Sequence, residues 1–237
     1  MKYKTKLIHG RLLKRYKRFL ADVRLDSSEV VTAHCANPGS MIGLLEENAQ
    51  AFLSESQNPK RKLKFTWELV KAADSWVGVH PALANKIAEE AIREGYIREL
   101  KNCRNLRREV KYGENSRADF LLEMQDRSVT YVEVKSVTLA ENSHAQFPDA
   151  VTKRGLKHLE ELMRVVKNGD RAAMLFVVQR EDVRSFEPAW EIDPEYAKTL
   201  ATAASQGVEV IAYDCAVSPE AVTLRNALPV NIKNPES

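Results

Sequence analysis

The sequence predicts an α/β protein, α+β overall, in which a small N-terminal β-barrel precedes a mixed sheet that is flanked by helices. Two observations lead to this fold class. About five short apolar segments follow one another at regular spacing in the first 80 residues, which is typical of a small barrel. From Pro81 onward, helical and strand patterns alternate, which favours a sheet with helices on its faces. We therefore expect two domains, residues 1–80 and residues 81–237.

The first domain is predicted to be an OB-like barrel. The turn signals between its strands are Asp26-Ser27-Ser28, Asn37-Pro38-Gly39 and Gln57-Asn58-Pro59. The loop that begins at Asn37 has two interpretations: a substrate loop, or a tight turn in which Gly39 supplies a positive φ. The candidate strands are residues 7–13, 19–25, 30–34, 49–54 and 63–70.

The second domain begins with a helix at 82–94, which follows Pro81 and ends at Gly95. Thr152 is a suitable N-cap for a second helix that runs to about Lys167. The last strands follow helices, so we expect parallel pairing beside an antiparallel hairpin. The strand at 208–213 is predicted to be the final strand of the chain. The other predicted elements are strands at 106–112, 116–122, 130–137 and 173–179 and a helix at 194–205.

Composition places the chain among ordinary globular proteins, with 44% hydrophobic and 29% charged residues. The longest apolar run, 172–178, is much too short to cross a bilayer, and the N-terminus lacks the apolar core of a signal peptide. Three separated cysteines argue against a zinc site or a disulfide framework and fit a reducing cytoplasm.

Basic residues are concentrated in the first domain. Residues 1–80 hold fourteen Lys and Arg against eight Asp and Glu, a balance of +6, whereas the remainder has a balance of −3. Such a patch is expected for a polyanion partner, although a merely solvated surface is the simpler alternative. The candidate nucleic-acid contacts here are Arg15, Lys17, Arg18, Lys60, Arg61 and Lys62.

The residues most indicative of function lie on two predicted neighbouring strands. Asp119 is on the first, and Glu133 and Lys135 share one face of the second. If the turn between the strands centres on Asp126, Asp119 lies opposite Glu133. Two carboxylates can bind Mg²⁺ (or Mn²⁺), and the ammonium can stabilise charge during phosphodiester hydrolysis. The alternative is a solvated ion pair, and Glu109 to Lys111 shows that chance produces the same tripeptide pattern.

This order of elements, with Asp on one strand and Glu-x-Lys on the next, resembles the PD-(D/E)XK nuclease superfamily, also called restriction-endonuclease-like. The whole chain resembles the sugar fermentation stimulation protein family more specifically. The motifs that carry this resemblance are KRFLADV at 17–23, HCxNxGxM at 34–41, NPxRKL at 58–63, SRxDF at 116–120, EVKSVTL at 133–139 and FPDAVTxRG at 147–155.

The resemblance implies an OB-like domain, a nuclease-like domain, DNA binding and a link to sugar metabolism, chiefly maltose. By position, Asp119 and Glu133 would be metal ligands and Lys135 the catalytic lysine. The first helix would add a further acidic ligand, and Glu89 is the candidate. Asn85 lies on the same helical face and Glu109 is also near in sequence, so this assignment stays open.

The helix after the third strand would supply a phosphate contact. Arg154 is the favoured candidate over Lys157 and His158, and for His158 a surface or packed imidazole is the favoured interpretation. Arg117 joins the predicted nucleic-acid contacts. Many nucleases of this fold act as dimers, so a homodimer is possible, although no dimer seam is evident.

Two functions remain open from the sequence. The first is a DNA-binding protein with a Mg²⁺-dependent nuclease site. The second is a DNA-binding regulator, linked to sugar metabolism, that does not cut. Direct sugar chemistry has little support from the residues.

Overall fold

The computed structural model describes residues 1–112 and 116–233 of the chain. Residues 1–80 form a six-stranded sheet in the order β3-β2-β1-β4-β5-β6. A short parallel pairing between β3 and β5 closes strands β1 to β5 into the expected OB-like barrel. The strands are β1 (Ile8–Tyr16), β2 (Leu20–Leu25), β3 (Val30–His34), β4 (Gln50–Glu55), β5 (Phe65–Ala72) and β6 (Ser75–Gly78).

The second domain is built on another six-stranded sheet, in the order β15-β14-β12-β9-β8-β7. Strand β12 is parallel to both of its neighbours, and β7, β8 and β9 form an antiparallel meander. The mixed sheet predicted from the sequence is therefore confirmed. Its strands are β7 (Cys103–Tyr112), β8 (Ser116–Met124), β9 (Val129–Val137), β12 (Arg171–Val178), β14 (Glu209–Val217) and β15 (Val222–Ala227).

Three helices cover the two faces of this sheet. Helix α1 (Ala82–Arg93) packs on one face, and α2 (Lys153–Lys167) and α3 (Pro194–Ser205) pack together on the other. Thr152 caps α2 as expected, because its side-chain oxygen accepts a hydrogen bond from the Gly155 N–H. In the described part of the chain, no helix has the length and apolar character needed to span a membrane.

Several short strands were not predicted. The prediction of a final strand at 208–213 was wrong, because β15 follows it as an antiparallel edge strand. A separate three-stranded sheet consists of β10 (Leu139–Glu141), β11 (His144–Phe147) and β13 (Ser185–Pro188). These strands have only three or four residues each, too few for a period-2 pattern to be recognised.

The loop of residues 37–41, here called the Asn37 loop, joins the barrel to the second domain. Ser40 Oγ donates to the backbone oxygen of Asp149 at 2.5 Å, and the Met41 N–H donates to Asp149 Oδ2 at 3.2 Å. The expected positive φ is not at Gly39 but at Met41, where φ is 55°. Gly39 is instead required by a close approach, since a Cβ there would lie 2.2 Å from Asp149 Oδ2.

Candidate active site

The hairpin of β8 and β9 positions Asp119. Its register pairs Phe120 with Val132 and is centred on Asp126, so Asp119 and Glu133 are the next opposite positions, as expected. The β8–β9 ladder ends at Phe120 and Val132, so Val134 lies beyond its last pair. Asp119 Oδ2 accepts the Val134 N–H at 2.8 Å. The sequence therefore places a carboxylate where the two strands separate, and the Val134 N–H holds it there.

A second donor to Asp119 comes from α1. Asn85 Nδ2 donates to Asp119 Oδ1 at 2.7 Å. Both oxygens of Asp119 are therefore fixed, one by the sheet and one by the helix that covers it. The carboxylate has little freedom to rotate, which suits a group that must present oxygen atoms in a fixed direction.

Glu133 is almost completely buried, with 1% of its surface exposed, and three groups surround its carboxylate. The Tyr112 hydroxyl donates to Oε1 at 2.6 Å. His158 Nδ1 lies 2.5 Å from Oε2, and Lys135 Nζ lies 3.5 Å from the same oxygen. Lys135 and Glu133 share one face of β9, as predicted, and that face packs on α2.

The two carboxylates affect each other's ionisation. Burial, and after it the negative charge of Glu133, raise the pKa of Asp119, although the Val134 N–H, Lys135 and Asn85 act in the opposite direction. Burial is the larger cause, and the like charge of Glu133 adds to it. A cation bound to both carboxylates would relieve this repulsion.

The pKa of Glu133 moves the other way. Burial acts to raise it, but the hydrogen bond from His158, the charge of Lys135 and the Tyr112 hydroxyl outweigh burial and hold the pKa below its ordinary value of 4.5. Burial and the charge of Glu133 raise the pKa of Tyr112 above its ordinary value of 10.0, so its hydroxyl remains a donor. Glu133 is therefore an anion at neutral pH.

The donor set suits a hard dication. In residues 1–112 and 116–233, no group of three or more His, Cys, Asp or Glu side chains has metal-binding spacing. Mg²⁺ does not need such a cage, because it keeps several waters and binds through one or two carboxylates. Asp119 and Glu133 could supply such a pair, and a dication would offset the repulsion that, after burial, raises the pKa of Asp119.

Glu89, which was predicted as a further acidic ligand, has two basic partners. Glu89 Oε1 pairs with Arg93 at 2.9 Å, and its Oε2 lies 3.3 Å from Arg108 on β7. Each oxygen of this carboxylate therefore already has a basic partner. Asn85, one turn earlier on the same helical face, contacts Asp119 instead, so Glu89 is not in the ligand set that we propose.

His158 is a packed imidazole, in line with the favoured interpretation, and it also lies within the candidate site. It is buried, and it contacts both Glu133 and Lys135. A usable signal was present, because His158 lies three residues before Glu161 and four before Leu162, and all three are on the buried stripe of α2. A histidine on a buried helical face that packs against Glu-x-Lys is a candidate partner for the glutamate. The sequence contained no comparable signal for Tyr112.

The predicted nucleic-acid contacts differ in their surroundings. Arg15 is half-buried and donates to the carbonyls of Asn37 and Gly39, each at 2.9 Å. Its guanidinium therefore braces the Asn37 loop, and we leave it out of the surface proposed below. The remaining candidates are exposed: Lys17, Arg18, Lys60, Arg61, Lys62, Arg117 and Arg154.

Comparison with known proteins gives consistent matches along the chain. Residues 13–79 match the family model described as the SfsA N-terminal OB domain, and residues 82–221 match that of the sugar fermentation stimulation protein RE domain. A sugar fermentation stimulation protein homolog from Maricaulis maris is 55% identical over 233 residues, which cover 98% of this chain and 99% of the relative. Its counterpart in Geobacter sulfurreducens is 52% identical over 224 residues, covering 94% and 96% respectively.

A solved structure has the same architecture. Pyrococcus furiosus SfsA, solved in complex with Ca²⁺, superimposes with a TM-score of 0.87 and 27% sequence identity, and the match covers 98% of each chain. The barrel and the mixed-sheet domain therefore occur together in both proteins.

Proposed function

This chain belongs to the sugar fermentation stimulation protein family, and from that premise we propose that it binds DNA, largely independently of sequence, and hydrolyses its phosphodiester bonds with Mg²⁺ or Mn²⁺. One observation carries the proposal. Lys135 Nζ lies 3.5 Å from Glu133 Oε2 near the end of the β8–β9 ladder, and burial together with the charge of Glu133 raises the pKa of Asp119, which supports a site shared by the three side chains.

Each side chain has a distinct task in the proposed reaction. Asp119 and Glu133 would hold the dication, which when bound supplies Lewis-acid polarisation of the phosphate and activation of water. Lys135 stabilises the negative charge that develops on the phosphate oxygens. The backbone of Val134 and the amide of Asn85 keep Asp119 oriented.

A relative's ligand supports the choice of cation. The Pyrococcus furiosus protein was solved with Ca²⁺, a hard dication that prefers oxygen ligands, as Mg²⁺ does. Ca²⁺ and Mg²⁺ differ mainly in coordination number and rigidity. We therefore expect this chain to bind both ions and to cut DNA with Mg²⁺ or Mn²⁺.

The activity is tested by incubating labelled single-stranded, duplex and branched DNA with the purified protein and Mg²⁺ or Mn²⁺. We expect cleavage that Asp119→Asn and Lys135→Met each reduce by about 10²–10³-fold. Glu89→Gln is the matched control, because it neutralises a carboxylate on α1 whose partners are arginines. Inactivity of the wild-type protein on every substrate with both ions, or full activity of Asp119→Asn, would overturn the nuclease proposal.

DNA binding is tested separately through its salt dependence. Each phosphate contact contributes about 0.9 to the slope of log K against log [salt] for duplex DNA. Lys17 and Lys62 are exposed on the barrel, so the double Ala variant should bind more weakly with a slope smaller by about 1.8. Lys198→Ala, an exposed lysine on α3, controls for net charge. Equal slopes for the double variant and the wild-type protein would exclude the barrel as the DNA surface.

A further inference from the structure

We propose that Phe19 stacks on an unpaired DNA base, so that single-stranded DNA gains a contact on the barrel that the interior of a duplex cannot make. This inference rests on the proposed DNA binding and names the form of DNA that the contact favours. It does not depend on the dication site, because Phe19 belongs to the turn between β1 and β2 of the barrel.

Phe19 is an aromatic side chain on the protein surface. It is 45% exposed, and the Arg18 guanidinium lies over its ring, 5.7 Å from the ring centroid. Lys17 and Arg18, which precede it in the turn, are exposed as well. This combination suits a single strand, because the ring can stack on a base while the basic side chains contact the backbone phosphates.

The backbone of the turn is a second indication of function, since one exposed apolar side chain is common on proteins and indicates nothing by itself. Lys17 and Arg18 both have positive φ, 47° and 63°. Hairpin turns normally have Gly, Asn or Asp at such positions, because a larger side chain costs free energy there. Strain of this kind is concentrated at sites that bind ligands or react. Two long basic side chains at these positions therefore indicate a binding role for the turn.

Hydrogen bonds hold the turn in one position. Arg18 Nε donates to the Pro38 oxygen at 2.8 Å, which attaches the turn to the Asn37 loop. The backbone of Phe19 is fixed on both sides, because its N–H and its oxygen each have a backbone partner, at 2.7 and 2.9 Å. A ring on such a turn loses little further freedom when a base stacks on it, and this preorganisation favours binding.

Tyr16, at the β1 end of the same turn, is the less suitable ring. Lys14 Nζ lies 5.3 Å from its centroid, so a basic side chain is present here too. The Tyr16 side chain is half-buried, however, and its hydroxyl donates to Asp22 Oδ1 at 3.1 Å. Phe19 is therefore the ring of this turn with the larger free surface.

Only an unpaired base can use the Phe19 ring. Inside a duplex each base has a neighbouring base on both faces, whereas a single strand, a loop or a frayed end offers a free face. Every base has an aromatic face, so stacking on a side chain tolerates any sequence. The contact therefore agrees with the proposed binding that is largely independent of sequence.

The first arm of the test measures DNA binding by fluorescence anisotropy, in a buffer with a chelator so that no DNA is cut. A labelled single strand and a long duplex of the same sequence are each titrated with protein. Phe19→Ala should raise the Kd for the single strand about 5–150-fold, the effect of losing one stacked base. It should leave the Kd for the duplex unchanged. No loss with the single strand, or an equal loss with both forms of DNA, would overturn the inference.

Tyr96→Ala is the matched control for this arm. Tyr96 is exposed to a similar extent, 49%, but it lies beside Tyr213 of the mixed sheet rather than on the barrel. The variant should change neither Kd. A loss of single-strand affinity as large as that of Phe19→Ala would show that any exposed ring has this effect, and would overturn the specific role of Phe19.

The second arm detects stacking directly and keeps an aromatic ring in place. The Phe19→Trp variant should bind the single strand about as tightly as the wild-type protein. Stacked bases quench indole emission, so the single strand should quench this variant more than the wild-type protein, which contains three Trp. The duplex should give no additional quenching. A single strand that binds without additional quenching would overturn the inference, even if Phe19→Ala does not fold.

These outcomes separate the inference from the proposed function. A wild-type protein that binds neither form of DNA would overturn the proposed DNA binding, and the stacking role of Phe19 with it. A wild-type protein that binds both forms, with equal losses in Phe19→Ala, would overturn only the stacking role. A protein that binds single strands through Phe19 but does not cut DNA would overturn the nuclease proposal and support this inference.

Discussion

Replacing Tyr112 by Phe removes one oxygen atom from the centre of the candidate site. The Tyr112 side chain is buried, and its hydroxyl donates to Glu133 Oε1 at 2.6 Å. The ring stacks on Tyr131 with 5.8 Å between the ring centroids, and the substitution preserves the ring. The variant therefore isolates one hydrogen bond to a buried carboxylate.

The expected cost is about 2 kcal/mol, because hydrogen bonds to charged groups contribute roughly 1.5–3 kcal/mol and the remaining partner is left buried without its donor. For a chain of this length, such a loss corresponds to roughly 4–8 °C in Tm. Urea and thermal unfolding both measure it. Tyr131→Phe is the matched control, since the Tyr131 hydroxyl makes no protein hydrogen bond within the residues that the structure describes.

The loss should depend on pH. The folded-state pKa of Glu133 lies below its ordinary value of 4.5, partly through the Tyr112 hydroxyl. A carboxyl with a lowered folded pKa contributes stability above its unfolded pKa and loses it as pH falls through the folded pKa. Tyr112→Phe raises the folded pKa, so the difference from the wild-type protein should be largest near neutral pH and shrink below about 4.5. The reasoning would be refuted if Tyr112→Phe lowered the free energy of unfolding equally at neutral pH and below about pH 4.5, or did not lower it at all.

Two further predictions concern neighbouring groups. Glu133→Gln should lower the pKa of Asp119, because it removes the negative charge that, after burial, contributes most to raising that pKa. A ¹³C NMR titration of the Asp119 carboxyl measures the pKa, and an unchanged or higher pKa in the variant would contradict the prediction. Gly39→Ala should destabilise the protein by about 1–3 kcal/mol, since its Cβ would lie 2.2 Å from Asp149 Oδ2. Asp149→Ala should recover part of that loss in the double variant, and strict additivity of the two unfolding free energies would exclude the clash.

Local patterns were sufficient to predict much of the fold. The hairpin register followed from counting residues on either side of Asp126, because side chains alternate faces along strands. The helix at 194–205 was predicted with the observed bounds, because Pro194 is a helix start signal and Gly207 a helix stop signal. The closed barrel followed from five regularly spaced apolar segments.

Local sequence patterns did not predict which strands pair when they lie far apart in the chain. Strands β11 and β13 pair in parallel, with His144 beside Ser185, a contact that no neighbouring residue specifies. The choice between Asn85 and Glu89 has the same origin. Both residues share a helical face, but Glu89 pairs with Arg108 on β7 whereas Asn85 contacts Asp119. A basic side chain from another element cannot be placed by spacing along one helix.

The central claim is that Asp119 and Glu133 hold one divalent cation beside Lys135, and anomalous diffraction from crystals soaked in Mn²⁺ tests it most directly. We predict a single strong anomalous peak within coordination distance, about 2–2.5 Å, of oxygen atoms from both carboxylates. The same soak of Asp119→Asn crystals should give a peak that is much weaker. A wild-type map with Mn²⁺ elsewhere and none between the two carboxylates would contradict the account.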